Sequence, residues 1–143
     1  MTDTLARRLA EIEERKLLAA QRASRHNEDV TLVAVSKTFD ANVIREAHSL
    51  GVRHFGESYL QEWQSKVDVL PEDIKWHFIG HVQSNKIKHF DGRLHLVHAV
   101  DRASVIKAMK KEDAHQHDIL LQINVGGEAQ KSGADPAQLE ALL

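Results

Sequence analysis

The chain has 143 residues, 42% of them hydrophobic and 28% charged, the composition of one ordinary globular domain and not of a disordered or fibrous segment. Its 19 basic and 21 acidic side chains leave a formal charge of -2, so no global attraction draws it to nucleic acid or to an anionic membrane. The absence of cysteine excludes disulfides, thiolate catalysis and cysteine-held metal clusters, and no window approaches the roughly 18 apolar residues of a membrane span, so a cytoplasmic location is expected.

Residues 3–24 carry Leu5, Leu9, Ile12, Leu17 and Leu18 among many charges, which reads as an amphipathic helix over about residues 1–25. The polar stretch 26–29 breaks that pattern. Residues 30–37 are then apolar and β-branched with almost no alternation, as in a parallel strand buried on both faces. Asp40 can cap a second helix with Val43, Ile44, Ala47 and Leu50 on one face, and Gly51 stands where a left-handed terminal residue is wanted. Residues 52–58 read as a second strand, and Leu60, Trp63, Val67 and Leu70 follow at helical spacing until Pro71. Trp63 and Trp76 read as core. Residues 74–80 form a third strand, 82–90 a short basic helix, 94–101 a fourth strand, and 102–114 a helix with Val105, Ile106 and Met109 inward. After a fifth strand at 118–125, Asp135, Pro136 and Gln138 supply the cap, first-turn proline and third-position glutamine of one more helix.

Five β-then-α units over residues 30–143, within a single domain of residues 1–143, mean a parallel sheet, either open and doubly wound or curved into a barrel. The seven glycines are dispersed and no glycine-rich loop follows the first strand, so the dinucleotide fingerprint of the open sheet is missing and the barrel is favoured. An eight-unit barrel needs about 250 residues. The expectation is therefore an α/β fold, a (β/α)8 TIM-type barrel truncated to five units behind an N-terminal helix. Its open edges would favour self-association.

Side chains at the C-terminal ends of parallel strands emerge where such folds place their active sites. Lys37 closes the first strand, and among Val33 and Val35 its amine would be desolvated toward the nucleophilic free form that imine formation needs. A solvated lysine at a strand end is the other reading. Ser58, at the second strand end, either touches a ligand or caps the following helix. His77 and Ile79 share strand parity and would face a bound ligand if that face is a lumen, while His77 can equally be a hydrogen-bonded core residue. Asn124 carries the same two readings. His77 and His81 stand four apart, but Gly80 at a strand-to-loop junction denies them a common helical face, so no metal site is expected. Gln83, Asn85, Lys86 and Lys88 make a basic stretch with no assigned catalytic role.

The segments Val35-Ser36-Lys37, Phe55-Gly56-Glu57-Ser58-Tyr59-Leu60-Gln61-Glu62, Trp76-His77-Phe78-Ile79-Gly80-His81-Val82-Gln83-Ser84-Asn85-Lys86, His98-Ala99-Val100-Asp101 and Gln122-Ile123-Asn124-Val125, with Glu128, Lys131 and Gly133 after them, resemble the pyridoxal phosphate homeostasis proteins. That family's barrel is similar to the N-terminal barrel of alanine racemase. The resemblance implies pyridoxal phosphate as cofactor, held as a covalent aldimine at Lys37, in a protein without an established reaction. On that reading Ser58, His77, Ile79 and Asn124 are the candidate cofactor contacts.

Where the family usually reads Glu-Asn-Tyr, this chain has Glu57-Ser58-Tyr59, and the shorter serine would lose a contact or bridge it through water. The family's phosphate-gripping loops and the arginine that partners the pyridine nitrogen belong to later strands, which this chain lacks. The alternative is a racemase-like pyridoxal phosphate enzyme. Racemization of that type needs a second base, a tyrosine from a separate domain, and Tyr59, the only tyrosine, lies inside the signature. A cofactor-free Schiff-base aldolase is a third reading. Neither nucleic acid nor a membrane is expected as partner.

Overall fold

A computed structural model describes residues 4–143. Helix α1 runs over Leu5–Arg22, and Thr4 caps it by accepting from the Arg7 N–H, so the expected start at Asp3 lies outside the described residues. The chain then alternates as β1 (Ala34–Val35), α2 (Ala41–Ser49), β2 (His54–Glu57), α3 (Leu60–Val67), β3 (Lys75–Phe78), a 3-10 helix (Ser84–His89), β4 (Leu94–Val100), α4 (Ala103–Glu112) and β5 (Asp118–Leu121). A 3-10 turn (Pro136–Gln138) and α5 (Leu139–Leu142) follow, the turn capped by Asp135 as expected.

All strands are parallel and lie in sequential order, β1-β2-β3-β4-β5. A doubly wound sheet reverses its order partway, so this order is that of a barrel wall. Among the described residues, no helix is long and apolar enough to cross a membrane.

Local signals place the helices. Asp40 accepts from the N–H groups of Asn42 and Val43 at the start of α2, and Gly51 adopts φ +100° just after it, where an L side chain would be strained. Helix α3 ends at Val67, before Pro71 is reached. The stretch 82–90, expected as a short basic helix, forms a 3-10 helix over Ser84–His89, with Ile87 buried within it and Val82 and Phe90 buried on either side.

The core lies between the sheet and α2, α3 and α4. Phe55, Trp76, Phe78 and Val97 from the strands meet Ile44, Trp63, Val67, Val105 and Met109 from the helices. Both tryptophans are buried there, as expected.

The first strand departs most from its expectation. Only Ala34 and Val35 pair with a neighbour, opposite Phe55 and Gly56, and residues 27–29 form a 3-10 turn. The apolar run is not buried on both faces: Leu32, Val33 and Ala34 are half-buried and Val35 is 51% exposed. The other expected strands hold in place with ends trimmed by one to four residues, most at β5, where Ile123 keeps a single bridge to Ala134.

Candidate functional site

The helix-facing side of the strands carries a charged network that holds the turn after β1. Ala34 and Phe55 face the helices, so Ser36 and Glu57, two residues further along each strand, point the same way. Both are buried. Ser36 Oγ donates to Glu57 Oε1 at 2.7 Å, and Lys66 Nζ donates to the same oxygen at 2.7 Å and to the Ser36 carbonyl at 3.0 Å. Lys66 lies one helical turn after Glu62, which accepts from it at 2.7 Å. Glu62 Oε1 also accepts the Thr38 N–H at 2.6 Å. Hydrogen bonds from Lys66 first, then from Thr38, hold the Glu62 carboxyl below its ordinary range, against the opposing effect of burial.

Residues 36 and 38 are therefore both tied to α3, and Lys37 stands between them. Thr38 takes φ +69° and the Phe39 N–H returns to the Ser36 carbonyl, so the turn is tight as well as pinned. The second oxygen of Glu57 is buried without a hydrogen-bond partner among the described residues. Only the pairing to Lys66 and Ser36 makes its burial tolerable.

Lys37 itself is exposed. Of the two readings open for it, the solvated one holds: beside Val35, 51% exposed, its amine is not enclosed by apolar neighbours as the desolvated reading required. What holds Lys37 is the backbone on either side of it, not an apolar sleeve around it.

The opposite, inner side of the sheet gathers most of the candidates. A Cβ added at Gly56 would meet Ile79 Cδ1 at 3.1 Å and Val33 Cγ1 at 3.4 Å, so Ile79, Val33 and the Gly56 position share this side. Val35, paired with Gly56, joins them by alternation. His77, paired with Gly56 and two residues before Ile79, faces the same way, as its parity required. Ser58 is half-buried at the rim. Its backbone is so close to the next loop that a Cβ on Gly80 would lie 1.9 Å from the Ser58 carbonyl oxygen. The capping role open to Ser58 is not used: Tyr59 is the first residue of α3's cap and no side chain caps that helix.

Asn124 stands apart, beyond β5 and separated from Lys37's strand by three others. Its Nδ2 donates to the Glu128 carbonyl at 2.8 Å and to the Lys131 carbonyl at 3.4 Å, closing its own loop. His81 is exposed and does not pair with His77. A hollow of about 390 Å³ at the C-terminal rim is lined by Ser58, Phe78, His81, Gln83 and Lys86. Other hollows are larger: one of about 720 Å³ lies toward the opposite ends of the strands beside Lys75, His95 and Asp118, and one of about 440 Å³ lies past the C-terminal end of β5 around Gln122, Asn124 and Val125. The size of the first does not make it the chemical site, because no residue of the C-terminal rim lines it.

Two groups escaped the sequence reading. Lys66 shares the buried stripe of Trp63 and Val67 on α3, and a lysine on such a stripe is a signal that it has a buried carboxylate partner. His54, His95 and His98 join His77 from neighbouring strands, which no spacing along one segment reveals.

A parallel sheet whose strands lie in sequential order, each followed by a helix, is one arc of a β/α barrel. The chain belongs to the alanine racemase N-terminal domain family, whose pattern matches residues 8–143. It is 42% identical over 143 residues to the pyridoxal phosphate homeostasis protein of Pseudomonas aeruginosa, covering 97% of this chain and 62% of that one. To the protein of the same name from Aquifex aeolicus it is 37% identical over 139 residues, covering 94% of this chain and 61% of that one. The chain thus spans less than two thirds of the length of either relative. PipY of Synechococcus elongatus PCC7942, solved with PLP bound, superposes with a TM-score of 0.70 at 34% identity over 91% of this chain and 61% of its own. Alanine racemase from Corynebacterium glutamicum, at 19% identity and a TM-score of 0.54, shares the fold. The barrel expected from the order of elements is the fold of this family.

Proposed function

We propose that this chain supplies the covalent arm of a pyridoxal phosphate site in a cytoplasmic homeostasis protein, with Lys37 as the amine that forms the Schiff base. The observation that carries the reading is the anchoring of Ser36 and Thr38 to the Glu57–Lys66–Glu62 network, which fixes the backbone from which the Lys37 side chain leaves the strand end. A defined starting point for the nucleophile's side chain favours imine formation. The inner face fits a planar ring: Gly56 leaves room, and Ile79 and Val33 offer an apolar floor. Ser58 and His77 are the polar groups nearest that floor in strand order, and Asn124 would reach it only from the far side of the arc.

Pyridoxal phosphate supplies an electron-withdrawing ring and an aldehyde; this chain supplies the amine, its orientation and an apolar support. The racemase alternative asks for a second base. Tyr59 is 62% exposed at the start of α3, so carrying and storing the cofactor is favoured over turning substrate over.

The test is to mix the protein with pyridoxal phosphate, follow the imine absorbance, reduce with borohydride and map the modified peptide. Label on Lys37, and its loss in Lys37→Ala, is the expected result. Label concentrated on any other lysine overturns the reading, and racemization of an amino acid by the loaded protein would favour the alternative.

A further inference from the structure

One part of the inner face shares only His77 with that reading and has a chemistry of its own. Near the start of the sheet, four imidazoles from three adjacent strands crowd together: His54 on β2, His77 on β3, and His95 and His98 on β4. His54 Nδ1 lies 2.9 Å from His77 Nε2, and His77 Nδ1 lies 2.8 Å from His98 Nε2. One ligand nitrogen from each of His54, His77 and His95 lies within 4.8 Å of the other two. We infer that His54, His77 and His95 form a three-imidazole site for a divalent first-row transition ion of the zinc type.

The geometry is close to what such an ion needs. Zn–N bonds of about 2.0–2.1 Å in a tetrahedral site put ligand nitrogens about 3.3 Å apart. The His54–His77 pair has to open by a few tenths of an ångström. His95 is exposed, its ring lies 5.6 Å from that of His54 and 5.3 Å from that of His77, and among the described residues no side-chain hydrogen bond ties it elsewhere, so it can turn toward them. It stands where the β3–β4 register shifts, Trp76 pairing with Leu94 and His77 with Leu96, and that irregularity brings a second β4 imidazole beside His77.

The orientation of His77 is fixed from behind. If its Nδ1 carries the proton donated to His98 Nε2, its Nε2 presents a lone pair toward His54. A hydrogen bond on the far nitrogen is how metal-binding imidazoles are commonly held. Burial first, then the neighbouring imidazoles, pushes His77 down to about 4, and burial also lowers His54 and His98. These rings stay neutral and able to ligate at pH 7.

Imidazole donors without thiolate or carboxylate suit zinc, copper, nickel or cobalt and do not suit calcium or magnesium. Three neutral ligands leave the ion its full charge and an open fourth position, which water or a small anion would fill. Lys75, near enough to help lower His54, strengthens the preference for an anion there. The expectation from His77 and His81 pointed away from any metal, because it compared neighbours along the chain, and this trio is assembled across strands.

Titration with Co²⁺, followed by its visible absorption and by displacement with Zn²⁺, tests the site on the whole chain without pyridoxal phosphate. One ion per chain is expected, with an intense spectrum of low coordination number. His95→Ala removes an exposed ring and leaves the His54–His77–His98 hydrogen bonds intact, so it should keep the wild-type circular dichroism and lose at least tenfold in affinity. His89→Ala, outside the trio, should bind as wild type. No cobalt spectrum, or equal affinity in wild type and His95→Ala, overturns the proposal and leaves the four rings as a hydrogen-bonded filling of the inner face.

Discussion

The two sides of this sheet are built on different principles. On the helix side, Trp63, Val97, Val100 and Val105 are completely buried, and even the charges are internal, Glu57 and Lys66 being paired and held within the packing. On the inner side the same strands present a glycine, four imidazoles and an exposed valine. Apolar close packing on one side sets the fold, and the freedom it confers lets the other side be polar and open. The buried ion network joins the two, because it sits among the helices and fixes the turn that carries Lys37.

The largest effect separating these sides should come from Lys66→Ala. Removing one partner of a buried pair leaves Glu57 uncompensated, and a cost of about 3–5 kcal/mol is expected in urea denaturation. The turn around Lys37 should loosen as well, seen as faster amide exchange at Thr38. A midpoint within error of wild type would mean that the network is not formed in solution.

Gly56→Ala on the inner side should cost less, about 1 kcal/mol, because the added methyl meets the far end of the Ile79 side chain at 3.1 Å and not backbone. Its larger effect belongs to the ligand floor: pyridoxal phosphate uptake should weaken more than stability does. The comparison collapses if stability falls as far as in Lys66→Ala.

The helix side was legible in the sequence and the inner side only in part. Phe55, Trp63, Trp76 and Val105 announce the core by periodicity, and Asp40 and Gly51 mark helix ends through local backbone chemistry. Strand parity put His77 and Ile79 on one face. Periodicity says nothing of how many neighbours a strand has, so the exposure of Val35 was missed and that of Lys37 stood only as one of two readings. It also cannot pair residues across strands, which hid Glu57–Lys66 and the imidazole cluster. Lys37 was found by resemblance and by its place at a strand end, while the reason it is held rests on residues that chain order separates by up to 30 positions.

A smaller effect should follow from acid. The Glu62 carboxyl is held below its ordinary value of 4.5, principally by Lys66. A group whose folded value is depressed contributes stability that is present above its unfolded value and lost as pH falls through the folded one. Wild type should therefore lose, below about pH 4.5, an increment that Glu62→Gln lacks. Buried histidines also lose stability on acidification, so the difference between the two proteins, followed by denaturation midpoints from neutral pH downward, isolates the carboxylate. Parallel acid limbs would show that Glu62 does not hold the Thr38 turn.

The smallest effect tests whether the inner side is open at all. Val35 is 51% exposed on an edge strand of two paired residues, so Val35→Ser removes little buried apolar surface and should change stability by no more than about 0.5 kcal/mol. The same residue type at Val97, fully buried on the other side of the sheet, has no such latitude. If Val35→Ser instead costs more than about 1 kcal/mol, the valine must be covered in solution, because apolar area contributes only when water is removed from it. Repeating the measurement over a range of protein concentrations then decides what covers it: a cost that grows with concentration points to a second copy of the chain on the open edge, and a constant cost points to closure within one chain.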